Sequence, residues 1–299
     1  MNVLSDFSKI KKDYFGRNIL ILGIFDGVHL GHQYLIKKAV IRARRINAKS
    51  IIFTLWPHPK QADSIMPIFE RIKFFINLGV DFCIVKKFTQ KFACLSASDF
   101  FKLVVKKINP VEIFVGENFH FGKDREGDID LLKNFCKNNA IKLEIVRIYR
   151  LHNQNISSSA IRNLINKGDL KKASLFLGRP VYIIGKVTEG KALGRKLGYP
   201  TANIIPFHEV LPPSGIYAVE VIFKKDKFFG MAYINRDSFP IIEAHIFNFK
   251  KNIYGSHIKL LFFEKIRPVK RFKDIAALKN QLKKDEIIVR NYFLAKDSH

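Results

Sequence analysis

Over the first 180 residues, short apolar runs alternate with stretches whose apolar positions recur at helical spacing. The runs predict strands at Asn18–Phe25, Ser50–Trp56, Asp81–Val85, Glu112–Val115 and Lys142–Val146. Between them the spacing predicts helices near 32–46, 69–78, 97–108 and 129–139, and a further helix after the hydroxyl cluster Ser157–Ser159. Strands and helices in alternation imply a Rossmann-like α/β domain with a parallel sheet.

After Leu177-Gly178-Arg179-Pro180 the texture changes. Val181–Val187, Gly215–Phe223, Phe228–Ile234, Ile241–Phe249 and Ser256–Phe263 are β-rich and separated by turn residues, the pattern of a small antiparallel β-barrel. A terminal amphipathic helix is expected from Asp274 to Phe293, with Ile275, Leu278, Leu282, Ile287 and Val289 on its apolar face. The expected division is therefore 1–180 and 181–299.

Composition narrows the class without naming a function. Of 299 residues 47% are hydrophobic and 26% charged, which excludes a disordered chain. The longest apolar runs, Ile19–Phe25 and Ile51–Trp56, are too short to span a bilayer, and MNVLSDFSKIKKDYF carries no signal-peptide pattern. A cytoplasmic protein with no membrane partner is expected. Cys83, Cys94 and Cys136 are too widely and unevenly spaced for a zinc site or a disulfide framework. The net charge of +26 invites a nucleic-acid reading. Yet the basic excess is +16 over residues 1–180 and +10 over 181–299, with no tail or single face carrying it. No specific nucleic-acid partner is expected, whereas anionic ligands suit the charge.

Two segments carry the chemistry. The first is GIFDGVHLGH, Gly23 to His32, placed where the first strand hands over to a helix. A helix N-terminus offers free N–H groups and the positive end of a dipole to an anion. Gly27 and Gly31 allow a phosphate to approach the backbone, and the imidazoles of His29 and His32 can stabilise charge that develops during transfer. Asp26 either binds a ligand or caps the turn, with a role in arranging the histidines favoured. Asn118, at a strand end, either hydrogen-bonds a ribose or base or serves as a turn residue. Ser158, Ser159 and Arg162 form a helix-start cluster suited to a triphosphate, or an ordinary N-cap with a solvated arginine.

The HxGH string resembles the nucleotidyltransferases of the HIGH superfamily. Its fuller form, GxFDGVHxGH, is similar to the adenylyltransferase half of bacterial bifunctional riboflavin kinase/FAD synthetases. Phe53-Thr54 through Pro57-His58-Pro59, the segment VGENFHFGKDREGD (Val115 to Asp128) and ISSSAIR (Ile156 to Arg162) resemble further motifs of that family in order. Ser159 stands where threonine is usual. The resemblance implies an ATP site formed by Gly23, Phe25, Asp26, Gly31, Asn118, Ser158, Ser159 and Arg162, with His29 and His32 catalytic.

The second segment, GKVTEGKALGRKLGYPTAN from Gly185 to Asn203, resembles the riboflavin kinase signature GxVxxGxxxGRxLGxPTAN at every fixed position. It implies an ATP and flavin site at Gly190, Gly194, Arg195, Gly198, Pro200 and Asn203. Thr201 and Asn203 offer oxygen ligands suited to a hydrated Mg²⁺ carrying nucleotide phosphates. Glu243, in the ExHxxxF context of Glu243 to Phe249, corresponds to the family's general base. One stretch departs from the family: Met231 to Pro240 is shorter than the usual NIGxRPTF loop, with Tyr233 in place of the asparagine and Asn235 in place of the glycine.

The resemblance spans about Ile19 to Phe293. It implies phosphorylation of riboflavin to FMN and adenylylation of FMN to FAD, with riboflavin, FMN, ATP and FAD as ligands, Mg²⁺ as cofactor and weak homo-oligomerisation. The altered 231–240 stretch leaves a second reading, an FMN adenylyltransferase with a degenerate kinase domain. RNA binding through the net charge and a non-enzymatic flavin carrier are more distant readings.

Overall fold

The computed structural model describes residues 1–5, 14–59, 63–151, 153–190, 194, 197–207, 209–236 and 241–297. The chain divides into two compact units, Met1–Ser158 and Ser159–His299.

The first unit is built on six parallel strands: β1 (Asn2–Leu4), β2 (Asn18–Leu22), β3 (Lys49–Trp56), β4 (Phe82–Lys87), β5 (Glu112–Gly116) and β6 (Lys142–Val146). Their order across the sheet is β1-β4-β3-β2-β5-β6. Every residue of β2 is buried, as expected of a strand covered on both faces. Asn18, also buried, donates its amide to the carbonyls of Gly16 and Ile108. Strand β2 ends earlier than its apolar run because Phe25 adopts a left-handed backbone, φ 54°. The helix Leu30–Arg45 follows, burying Leu35, Ile36, Ala39, Val40 and Ala43 and carrying Arg42, Arg44 and Arg45 in its last turn. The segment expected as one helix over 97–108 is an α-helical turn, Ala97–Phe100, continued by a π-helical one, Phe101–Lys106.

From β2 the chain moves outward to β3 and β4 on one side, then returns to β5 and β6 on the other. The order reverses between β2 and β5, the switch point where open α/β sheets leave a crevice at the carboxyl ends of their strands.

The second unit holds a closed antiparallel barrel, order β10-β13-β12-β11-β14-β9. Its strands are β9 (Val181–Thr188), β10 (Ala202–Pro206), β11 (Gly215–Phe223), β12 (Asp226–Asn235), β13 (Ile241–Ile246) and β14 (His257–Arg267); the small pair β7 (Arg150–Leu151) and β8 (Gln154–Asn155) precedes it in the first unit. Cross-strand register sorts the side chains. Ile234, Ile242, Ile204 and Val187 form one buried row, and Tyr217, Ala232 and Ala244 form another that ends on the half-buried Ala202, with alanines making room for the tyrosine. The row between them, Tyr233, Glu243, Asn203 and Thr188, therefore lies on the outer face.

The terminal helix, Ile275–Asp297, packs on β12 and β14. Its buried positions are Asp285, Val289 and Phe293, with Leu278 and Leu282 partly buried. Ile275 and Ile287, expected on that face, are 65% and 51% exposed. The inward stripe includes an aspartate because Arg267 meets it: Nε and Nη2 of Arg267 donate to the Asp285 carboxylate at 2.7–3.0 Å.

Candidate functional sites

The first site grows from the end of β2. Gly23 must be glycine, because a Cβ there would lie 2.6 Å from the Phe25 ring. Phe25, Gly27 and Val28 all take positive φ, folding Asp26–Val28 into a tight turn that delivers His29 to the helix as its N-cap. Nδ1 of His29 accepts the backbone N–H of His32 at 3.3 Å, so an imidazole satisfies an N–H that a serine or aspartate usually takes. The two imidazoles stack with centroids 3.5 Å apart, and the edge of Phe25 packs against His32 at 5.2 Å. Burial, then His29 and Arg71, hold the His32 pKa well below the ordinary histidine value, so this ring is neutral at physiological pH. Gly31 lies against Tyr149 and the His29 ring.

Asp26 is 1% exposed, and both its carboxylate oxygens accept the Ile65 N–H at 3.1 Å. The carboxylate thus faces inward, onto the backbone before the helix Ile68–Asn77. Ser158 Oγ donates to the Asp26 carbonyl at 2.9 Å, tying the start of the helix Ser158–Lys167 to the histidine turn. Ser159 and Arg162 follow on that helix, in the second unit. Asn118 follows β5, exposed, at the same sheet edge and across the switch point from the end of β2. Arg71, marked by no motif, is a wholly buried arginine in the helix Ile68–Asn77 that reaches this turn.

The second site lies on the outer face of the barrel. Asn203 pairs with Glu243 across β10 and β13, and Thr201 Oγ1 donates to Glu243 Oε2 at 3.4 Å. A Cβ on Gly190 would collide with the Asn203 amide, so the Gly190 backbone lies directly against that side chain. Gly194 accepts the N–H groups of Leu197 and Tyr199 on its carbonyl and abuts Thr201. Gly198 takes φ 85°. The Pro200 carbonyl lies 2.8 Å from Nδ1 of His245, which contacts the Tyr199 ring at 5.1 Å. Arg195 lies outside the described residues, as do positions 237–240 of the divergent stretch. Tyr233 is in register with Glu243 on its other side. The structure thus gathers Gly190, Gly194, Thr201, Asn203 and Glu243, and adds Tyr199, Tyr233 and His245.

No three His, Cys, Asp or Glu side chains cluster as a metal cage among the described residues. The neutral oxygens of Thr201 and Asn203 beside one carboxylate fit a hard cation held mainly by phosphates and water.

The family model for FAD synthetase matches residues 11–160, and that for riboflavin kinase matches residues 177–293. A bifunctional riboflavin kinase/FMN adenylyltransferase of Buchnera aphidicola subsp. Schizaphis graminum is 34% identical over 289 residues, 91% of this chain and 93% of its own. The proteins of the same name from Escherichia coli (strain K12) and Bacillus subtilis (strain 168) are 32% and 30% identical, each covering at least 92% of both chains. A solved structure from Streptococcus pneumoniae, named a macrolide-efflux protein, superposes with TM-score 0.85 at 30% identity over 97% of this chain and 98% of its own. Among the described residues of the present chain, no helix is long and apolar enough to cross a membrane.

Proposed function

The chain belongs to the bifunctional riboflavin kinase/FMN adenylyltransferase family, and from that premise we propose which of its residues carry each reaction. The enzyme phosphorylates riboflavin to FMN and joins AMP from ATP to FMN, giving FAD and pyrophosphate. We assign residues 1–180 to the adenylyltransferase half and 181–299 to the kinase half.

In adenylyl transfer an oxygen of the FMN phosphate attacks the α-phosphorus of ATP, and the bond to pyrophosphate breaks. Both the nucleophile and the leaving group are already anionic, so the protein's work is orientation and charge stabilisation. His29 and His32 do this. With Nδ1 of His29 accepting the His32 N–H, its ring proton resides on Nε2, the atom that donates to a phosphate oxygen. Gly23, Phe25, Asp26 and Gly31 shape the turn that presents them. Asn118 receives the nucleoside across the crevice, and Ser158, Ser159 and Arg162 hold the departing phosphates. The arrangement of the imidazole pair at a helix N-terminus beside the switch point is the observation that carries this reading.

In the kinase half Glu243 accepts the proton of the riboflavin hydroxyl as it attacks the γ-phosphorus of ATP. Gly190, Gly194, Arg195, Gly198 and Pro200 would embrace the nucleotide, and Thr201 and Asn203 would hold Mg²⁺. When bound, Mg²⁺ neutralises phosphate charge. The Thr201 hydroxyl orients the Glu243 carboxylate by donating to it. The experiment that tests these assignments is the paired conversion of riboflavin and of FMN by E243Q and by H29A/H32A, each expected to lose one product only.

A further inference from the structure

Arg71 lies in the middle of the helix Ile68–Asn77 and is fully buried. Its Nη1 donates to the Ile24 carbonyl at 2.9 Å, and Nη2 lies 3.7 Å from Oδ1 of Asp26. The guanidinium also sits over the Trp56 ring, 5.3 Å from its centroid. Asp26 in turn holds the Ile65 N–H through its carboxylate and Ser158 through its carbonyl. One buried ion pair thus ties together the histidine turn, the end of β3, the segment before the helix and the start of the Ser158 helix.

An ion pair buried this deeply is weak as a source of net stability compared with well-packed apolar residues, so its use is sought in what it positions. The turn it holds needs holding: Phe25 and Val28 occupy left-handed backbone, φ 54° and 38°, without glycine's freedom. A planar guanidinium can grip a carbonyl and face a carboxylate at once, with a charge that is never lost.

We propose that Arg71 is a positioning residue for adenylyl transfer, fixing the Ile24–Asp26 turn that presents His29 and His32 and placing a permanent positive charge against that turn. The inference rests on the assignment of those histidines to phosphate chemistry. His32 is faced by the stacked His29 ring, by the edge of Phe25 and by the charge of Arg71, whose partner is Asp26. Losing Arg71 removes a cation that opposes protonation of His32, which moves His32 titration upward.

The test follows FAD formation from FMN and Mg²⁺-ATP against pH for the full chain, R71K, R71Q and H29A/H32A. Circular dichroism reports folding, and histidine NMR reports His32 titration in the wild type. R71K is expected to keep the wild-type acid limb and kcat to within a few fold. R71Q is expected to lose about 100-fold in kcat, with KM less affected and the acid limb moved to higher pH. Wild-type kcat and acid limb in folded R71Q would overturn the proposal. So would a limb in R71K displaced as far as that in R71Q, since lysine keeps the charge. If R71Q does not fold, two results decide: a displaced limb in R71K, or a His32 titration in the ordinary histidine range, overturns the proposal, and their opposites support it. FAD formation that survives in H29A/H32A would instead defeat the histidine assignment itself. An inactive H29A/H32A beside an unchanged R71Q would defeat Arg71 alone.

Discussion

Nδ1 of His29 accepts the backbone N–H of His32 while the two rings stack at 3.5 Å, so a single side chain both caps the helix and carries the proposed chemistry. The two roles are separable. Asparagine is among the best N-caps, so His29→Asn is expected to keep the stability that His29→Ala loses, about 1 kcal/mol. Both substitutions are expected to lower FAD formation at least about 100-fold. Denaturant unfolding beside initial rates checks this; a His29→Asn enzyme with wild-type FAD formation would reduce His29 to a cap.

His32 predicts a pH dependence of stability. Its folded pKa is depressed below the unfolded value of 6.5. Above 6.5 both states are neutral and the group contributes nothing. As pH falls below 6.5 the unfolded chain takes up a proton that the folded one refuses, so stability declines until the folded pKa is reached. His32→Gln is expected to flatten that decline between pH 7 and pH 5. A thermal-unfolding series on both proteins reads it, and parallel slopes would mean His32 titrates normally in the fold.

Gly190 gives a prediction for the second site alone. A methyl group there meets the Asn203 amide, which must swing aside. Gly190→Ala is expected to cut FMN formation from riboflavin about 100-fold by displacing Asn203, with FAD formation from supplied FMN unchanged. Separate assays starting from riboflavin and from FMN distinguish the two.

How far the sequence could be read depended on whether a residue's environment was local. Strand β6 and strand β11 have the bounds their apolar patterns suggest, and the turn-rich second half closes into the expected barrel. Strand β10 was hidden because Ala202–Pro206 has one buried residue and reads as the tail of the glycine-rich segment. The residues gathered at both candidate sites were visible as motifs because tight turns and close backbone approaches demand specific residue types. Arg71 was not: within Ile-Phe-Glu-Arg-Ile-Lys it looks solvated, and only the fold brings Asp26, 45 positions earlier, to meet it. Asp285 misled the terminal-helix pattern for the same reason, since its partner Arg267 lies on β14.

That pair predicts a stability asymmetry. Asp285 is fully buried and the Arg267 side chain 17% exposed, so Asp285→Ala strands a largely buried cation and is expected to cost about 3 kcal/mol. Replacing both, as in R267M/D285L, is expected to recover most of the loss, because neither charge then remains to be desolvated. Denaturant titration of the single and double variants checks it; equal losses in both would show that the pair is worth more than its apolar substitute.

The most direct test of the account is a chromatographic time course with Mg²⁺-ATP, started in parallel from riboflavin and from FMN, for the wild type and E243Q. The wild type is expected to produce FMN and then FAD from riboflavin, showing that Tyr233 and the divergent 231–240 stretch are compatible with kinase activity. E243Q is expected to leave riboflavin untouched while converting FMN to FAD at the wild-type rate. Wild-type protein that makes FAD from FMN but leaves riboflavin unchanged, or E243Q that still makes FMN at full rate, would contradict a kinase centred on Glu243.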